Sequence, residues 1–370
     1  MHIYFINIII VTVLGVPFFI NRDRYGKNKK YFLIFSFVLN FVLIGLRHKS
    51  VGADTAVYMD GFIEISELPF AQIFQIEYNF EPGYIVYNKI ISLFATNSYS
   101  IIIFSTFISL VSIYYFIYKY SKNVWLSVFI FSTIGGIFQI TTFLRQYLAL
   151  SILLFCIPFI MKRKFIPFLI LLLIAVTFHK TSVLFLLVYI MSNVNIGGLF
   201  IVLYTVVLGI SYISIDYILP IILNRFYPGY LVMEQWLQET GGYKFLLFHG
   251  VLLILLLFMR DYGRTDELCR IAFEERASER DMLYSVYIVS EMILFAVFFV
   301  SLKLGLISRL MITLEPFVML VVPEVIDRVK KRQLRVGVVM VIYFVFMIFW
   351  YILLKNTYIH NIDYRFLWQG

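Results

Sequence analysis

The chain reads as an all-α, polytopic integral membrane protein, and three observations predict it. Of 370 residues, 61% are hydrophobic and only 14% are charged, which is more apolar surface than a soluble domain of this size needs. Apolar runs of roughly 20 residues recur from end to end, each long enough to cross a hydrocarbon core about 30 Å thick as a helix. Lys and Arg gather in short loops between those runs, the pattern of cytoplasmic loops.

Those loops, at 21–30 (NRDRYGKNKK), 162–164 (KRK), 260–281 and 327–335, orient the chain. Threading helices between them gives about 12 transmembrane spans, near 3–20, 31–46, 101–118, 124–142, 146–161, 165–178, 180–192, 196–215, 245–260, 282–301, 308–326 and 335–354. Both termini then lie outside. The first run has neither a basic n-region nor a small-residue cleavage site, so it is expected to be retained. Segment 81–96, EPGYIVYNKIISLFAT, also looks helical, but counting it as a span would put KRK outside. It is expected as a re-entrant or interfacial helix on the outer face. The spans 165–178 and 180–192 reach only about 20 Å each, which sets the bend at His179-Lys180 below the outer surface, in a cavity. With no internal repeat or soluble domain evident, residues 1–370 form one integral-membrane domain whose largest outer segments are 47–100 and 216–244.

Composition and motifs exclude several classes. The net charge of +9 reflects cytoplasmic loops facing anionic lipid, so nucleic acid is not implied. Cys156 and Cys269 have neither pairing nor metal-ligand spacing, and no cofactor or metal is expected. There is no P-loop, HExxH, GxSxG or DxD sequence, which disfavours ATP-driven transport, metalloprotease action and cytosolic nucleotide-sugar chemistry.

What remains is a small set of charges stranded in apolar surroundings. Arg145 lies in ITTFLRQYLALSILLF and His179-Lys180 in LLLIAVTFHKTSVLFLLVY. A charge in a lipid-facing helix costs about 3 kcal/mol on insertion scales, so each must face a cavity, a partner or a membrane surface. The threading brings Arg47, His48, Asp54, Arg145, His179, Lys180 and Arg309 to the outer ends of helices. Cations there suit an anionic head group, and the planar fork of Arg suits phosphate, as in a lipid-linked diphosphate whose chain lies in the bilayer. Each has a plainer reading. Arg145 can mark a helix end by snorkelling, His179 can be the turn of a hairpin capped by Thr181 or Ser182, and Lys180 can face C-terminal carbonyls. Arg309 can pair with the buried Glu315. Asp54, Thr55 and Tyr58, after Gly52, can form an Asx turn beyond a basic flank.

Arg47 with Gly52-Ala53-Asp54 and Tyr58, Glu81-Pro82-Gly83-Tyr84, Arg145-Gln146, and Phe178-His179-Lys180-Thr181-Ser182 together resemble the ordered signatures of the EpsG family, membrane proteins of the Wzy-type polymerase class. The resemblance spans roughly residues 1–355. Glu315-Pro316 and the ending NIDYRFLWQG depart from the family pattern. It implies polymerisation of surface polysaccharide from repeat units carried on undecaprenyl diphosphate, at the extracytoplasmic face of a bacterial cytoplasmic membrane. It also implies membrane lipid and a flippase or chain-length regulator as partners. Carried over by position, Arg145, His179 and Asp54 would be catalytic, and Arg47, Lys180, Arg309, Tyr58 and Gln146 would bind the diphosphate or sugar.

The chemistry expected is glycosyl transfer in which fixed cations, Arg145 with Arg47 or Arg309, stabilise the diphosphate leaving group. His179 would be the base for the acceptor hydroxyl, an imidazole having a reference pKa near 6.5; Asp54 competes for that role, or orients the imidazole or an Arg. Tyr227, Tyr230, Trp236 and Tyr243 offer faces for sugar rings or simply anchor at the interface. The rivals are a lipid-oligosaccharide flippase or other secondary transporter, which would need polar residues through the whole bilayer depth, and an acyltransferase using His179.

Overall fold

The structure, a computed structural model, describes residues 2–20, 28–74, 80–226, 242–262, 274–356 and 364–369. Among these the chain is all-helical, with only an isolated bridge between Arg47 and Phe366. In chain order the helices are α1 (His2–Ile20), α2 (Lys29–Gly45), α3 (Thr55–Glu67), α4 (Pro82–Ser92), α5 (Tyr99–Tyr120), α6 (Val124–Thr133), α7 (Gly136–Thr142), α8 (Leu144–Leu154), α9 (Ile157–Met161) and α10 (Phe165–Phe178). There follow α11 (Phe185–Ser192), α12 (Gly198–Phe226), α13 (Tyr243–Tyr262), α14 (Glu274–Ser301), α15 (Val318–Asp327) and α16 (Arg332–Asn356).

Six helical stretches among the described residues are long and apolar enough to cross a membrane: Tyr99–Tyr120, Leu144–Met161, Gly198–Arg225, Tyr243–Arg260, Asp281–Ser301 and Arg332–Leu354. The number becomes eight if α6 with α7, and Gly305–Thr313 with Glu315–Asp327, each make one bent span. Shorter apolar helices run over Ile3–Gly15, Phe165–Phe178 and Lys180–Ser192. These lengths make the protein a multi-helix membrane protein.

Three expectations need correction. The run 124–142 is not one straight helix. It breaks at Gly135, whose φ of +111° suits glycine, and α6 and α7 meet at 52°. The segment 55–67, part of the outer segment expected over 47–100 with no helix assigned there, is helix α3. Its buried residues Thr55, Tyr58, Met59, Phe62 and Ile65 lie on one face, and at 13 residues it is too short to register as a span. Helix α12 continues through Pro220 to Phe226, into the stretch expected as an outer loop.

The described residues fall into two compact units, the first comprising 1–157, 165–183 and 316–370 and the second 158–164 and 184–315. In the first, α1, α2 and α5 are joined by a buried polar relay. Asn7 Nδ2 donates to Asn40 Oδ1 at 2.8 Å, and Asn40 Nδ2 to the Tyr114 hydroxyl at 2.7 Å, the interhelical polar glue expected where lipid gives helices little reason to associate. At one face of this unit Lys29 Nζ donates to the Tyr118 carbonyl at 3.1 Å, and Lys122 lies 3.9 Å from Glu324. These contacts tie together the ends of α2, α5 and α15. In the second unit α13 and α14 are linked by His249 Nδ1 and Glu291 Oε2 at 2.8 Å, both fully buried, a pair that nothing in the sequence singled out.

At the other end of α2 from Lys29, the chain turns around Arg47. Its guanidinium is fully buried and donates to the carbonyls of Ile44, Val51 (3.1 Å) and Thr141 (3.2 Å) and to the hydroxyls of Thr55 (3.3 Å) and Thr106 (3.5 Å). Burial lowers its pKa to about 10, so it stays a cation at neutral pH. Gly52, at φ +95°, lies so close that a Cβ would come within 2.5 Å of the Thr141 carbonyl. The C-terminal segment closes the turn from outside, His48 N–H donating to the Arg365 carbonyl and Leu367 N–H to the Leu46 carbonyl, each at 2.9 Å.

Helix α4 begins at Glu81-Pro82-Gly83, and its 11 residues give a length of about 16 Å, too short to cross. Proline at the first position fits the missing N–H there. Gly83 faces the end of α10, where a Cβ would collide with the Thr177 hydroxyl and come within 2.9 Å of the Thr177 carbonyl. Glycine at this position therefore lets α4 reach α10. Gly83→Ala should cost about 1–3 kcal/mol by overpacking, read as a lower unfolding temperature in detergent, and an unchanged melting curve would show that the contact is unimportant.

Candidate functional site

The approach of α4 to α10 carries Glu81 into a gap between the start of α8 and the end of α10. Glu81 precedes α4 in extended conformation, outside the spans. Its carboxylate is almost fully buried, and three groups converge on it. Arg145 Nη1 stands 2.5 Å from Oε2, His179 Nδ1 3.2 Å from Oε1, and the Lys180 backbone N–H donates to Oε1 at 3.5 Å. Burial by itself would raise the carboxyl, but His179 and Arg145 outweigh it and hold it at about 2. Glu81 is therefore a fixed anion at neutral pH.

His179 follows the last residue of α10 and opens a 3₁₀ turn. Its Nε2 lies 2.7 Å from Gln146 Nε2. An amide nitrogen only donates, so in this orientation the imidazole accepts at Nε2, and a neutral ring carries its hydrogen on Nδ1, facing Glu81. Gln146 Oε1 and His179 Nδ1 are buried here without an aligned hydrogen bond, the latter having Glu81 Oε1 within ion-pair range. Arg145, at the first turn of α8, lies over the Phe80 ring at 5.0 Å, a cation–π contact. Tyr58 reaches the same guanidinium while donating to the Thr142 carbonyl at 3.0 Å. Burial raises its phenol to about 12, which keeps it a neutral donor. Phe80, Tyr58, Tyr84, Tyr87 and Phe178 wall the site, with ring centroids 5.1–6.2 Å apart.

The structure thus brings Arg145, Gln146, His179, Tyr58 and the backbone of Lys180 together, whereas the Lys180 side chain is exposed. Asp54 flanks Tyr58, on the N-terminal side of α3. The carboxylate on the imidazole is Glu81, where the sequence had offered Asp54 for orienting it. Arg47 has its donors on backbone and threonine groups, so it bears on the site through the chain, anchoring Thr141 four residues before Arg145. Arg309 belongs to the second unit, in the 3₁₀ helix Gly305–Thr313. Tyr227, Tyr230 and Trp236 lie outside the described residues, and Tyr243 opens α13.

Glu81 is the residue that sequence reasoning passed over, although a signal existed. No Asp or Glu occurs between Pro82 and Ser214, a stretch that contains Arg145, His179 and Lys180. Buried cations require an anion, and Glu81 is the last one before that stretch.

Because Glu81 is ionised with its carboxyl held at about 2 against an ordinary 4.5, its contribution to stability is complete above about pH 4.5 and is lost as pH falls toward 2, amounting to about 3 kcal/mol. Melting curves of wild type and Glu81→Gln should therefore converge over that acid window, and a gap independent of pH would show that the charge is not what stabilises.

Comparison with known proteins bears on the resemblance noted in the sequence. No curated protein matches the chain, and no solved structure does. The EpsG family model matches residues 30–366, a range containing Arg47, Glu81, Arg145 and His179, and the chain belongs to the EpsG family.

Proposed function

We propose that the protein polymerises undecaprenyl-diphosphate-linked oligosaccharide repeat units into surface polysaccharide, by glycosyl transfer at the extracytoplasmic face of a bacterial cytoplasmic membrane. Membership of the EpsG family fits a polysaccharide polymerase. The observation that carries the finer reading is the meeting of Arg145 and His179 on Glu81. On this reading the shorter apolar helices are spans too, toward the expected 12, and α4 lies on the outer face. A flippase and a chain-length regulator are the expected partners.

The donor is the growing chain on its lipid diphosphate and the acceptor a sugar hydroxyl of the incoming unit. Arg145 receives the diphosphate, whose charge grows as the glycosidic C–O bond breaks and the electron pair passes to the phosphate oxygen. A guanidinium fixed by Phe80 and Tyr58 stabilises that charge without reorganising. His179 takes the acceptor proton at Nε2 while the new C–O bond forms, and Glu81 holds the ring and stabilises the imidazolium, the part a carboxylate plays beside a catalytic histidine. Asp54 sits on the Tyr58 side, where it would meet donor or acceptor sugars. The aromatic wall offers apolar ring faces to the first sugars or to the lipid chain.

Purified protein given only lipid-linked repeat units should extend them with no nucleotide sugar, ATP or added metal; no growth under those conditions would reject the polymerase. Arg145→Lys should lose most activity, on the order of 100-fold, since a point charge cannot replace the bidentate fork, and full-length polymer from that variant would remove Arg145 from the phosphate site. His179→Ala should abolish long chains while leaving the protein inserted, and undiminished polymer would reject His179 as the base.

A further inference from the structure

The Glu81–Arg145 pair has a consequence that the order of groups in the reaction does not by itself require. A guanidinium fork binds carboxylate and phosphate in the same geometry and through the same donors. In this structure the Arg145 Nη1 that would meet a phosphate already holds Glu81 Oε2, at 2.5 Å. Of the imidazole nitrogens, Nε2 meets the Gln146 amide at 2.7 Å, and Nδ1 stands 3.2 Å from Glu81 Oε1, close enough for an ion pair though not aligned as a hydrogen bond. The arrangement is closed on itself, with one carboxylate shared between the phosphate-binding cation and the base.

We infer that Glu81 occupies the anion seat of Arg145 in the resting protein, that the diphosphate of the lipid-linked substrate displaces it, and that the displaced carboxylate then serves His179 alone. This rests on Arg145 being the diphosphate contact. Arg145 would not be lost in the exchange, because the Phe80 face at 5.0 Å and Tyr58 hold its guanidinium independently of Glu81. Glu81 would not be stranded either, since the Lys180 N–H and His179 both stand at Oε1, on the oxygen that Arg145 Nη1 does not use.

The exchange couples the two halves of the reaction. While Glu81 fills the seat, its carboxylate is shared between Arg145 at Oε2 and His179 at Oε1, so the field of the adjacent guanidinium offsets the help the carboxylate gives to an imidazolium. Once the diphosphate has taken Arg145, Glu81 faces only His179, and the acceptor hydroxyl can give its proton to Nε2 in place of the Gln146 contact, as its oxygen bonds to the sugar carbon and the diphosphate departs with the electron pair. Donor binding thus prepares the base, and the empty site is not primed to deprotonate water. Glu81 acts here as a positioning residue, competing with one substrate group and supporting another.

Competition separates this from a merely structural role, because removing the competitor should improve binding while harming transfer. The test uses full-length protein in nanodiscs, with undecaprenyl diphosphate as the binding probe and lipid-linked repeat units for transfer. Glu81→Gln should bind undecaprenyl diphosphate about tenfold more tightly than wild type and transfer about 100-fold more slowly. Glu81→Asp, which keeps the charge on a shorter stem, should fall between the two in both measurements and serves if the glutamine variant fails to fold. Wild-type binding that neither variant tightens overturns the inference while leaving Arg145 as a phosphate contact. An absence of binding by wild type and both variants overturns the inference together with the phosphate assignment.

Discussion

A buried carboxylate cannot stand unneutralised, and the Glu81 carboxylate meets that constraint by gathering Arg145, His179 and the Lys180 N–H around itself. Everything else at this face can be understood as what allows those groups to meet. Pro82 and Gly83 start α4 and let it reach α10. Arg47 and Gly52 bind the turn after α2 to Thr141, and so hold the approach to Arg145. Tyr58 and Phe80 fix the guanidinium independently of Glu81. Removing one member of such a buried set leaves the others without a counter-charge, so the residues depend on one another more than pairwise contacts suggest.

The two prominent arginines illustrate how burial decides a role. Both sit in apolar sequence and both match family signatures, yet Arg47 is fully buried with its donors on carbonyl and hydroxyl oxygens. Arg145 keeps 22% of its side chain exposed and holds a carboxylate. The first is equipped to fix backbone, and the second can exchange one anion for another. A guanidinium offers five donors in a plane, so the same side chain serves as a scaffold when all are engaged internally and as a binding group when some face an opening.

Several features were legible before any coordinates. Long apolar runs fixed the helical membrane class, because only helices or closed barrels satisfy backbone polar groups in lipid. The 162–164 loop, the ends of α10 at 165 and 178, and the presence of Arg145 and His179 at polar breaks also followed from apolar length and stranded charge. Helix α3 was not legible in a reading based on apolar runs because its apolar stripe is narrow and its other face carries Asp60, Glu64 and Glu67. The break between α6 and α7 was hidden because a hydropathy profile does not register the conformational freedom of a glycine, and only the chain path showed that Gly135 adopts a positive φ.

The sequence by itself determined the material of this protein: membrane helices, the loops that carry their basic residues, a family signature, and a shortage of acids around buried cations that demanded a counter-ion. Only the tertiary structure decided which acid answers that demand. Glu81 and Arg145 are 64 residues apart, and Gln146 and His179 are 33 apart, separations over which local periodicity says nothing. Coulomb attraction acts through space and strengthens as water is excluded, so the pairing of charges is settled by which helix ends the packing brings together.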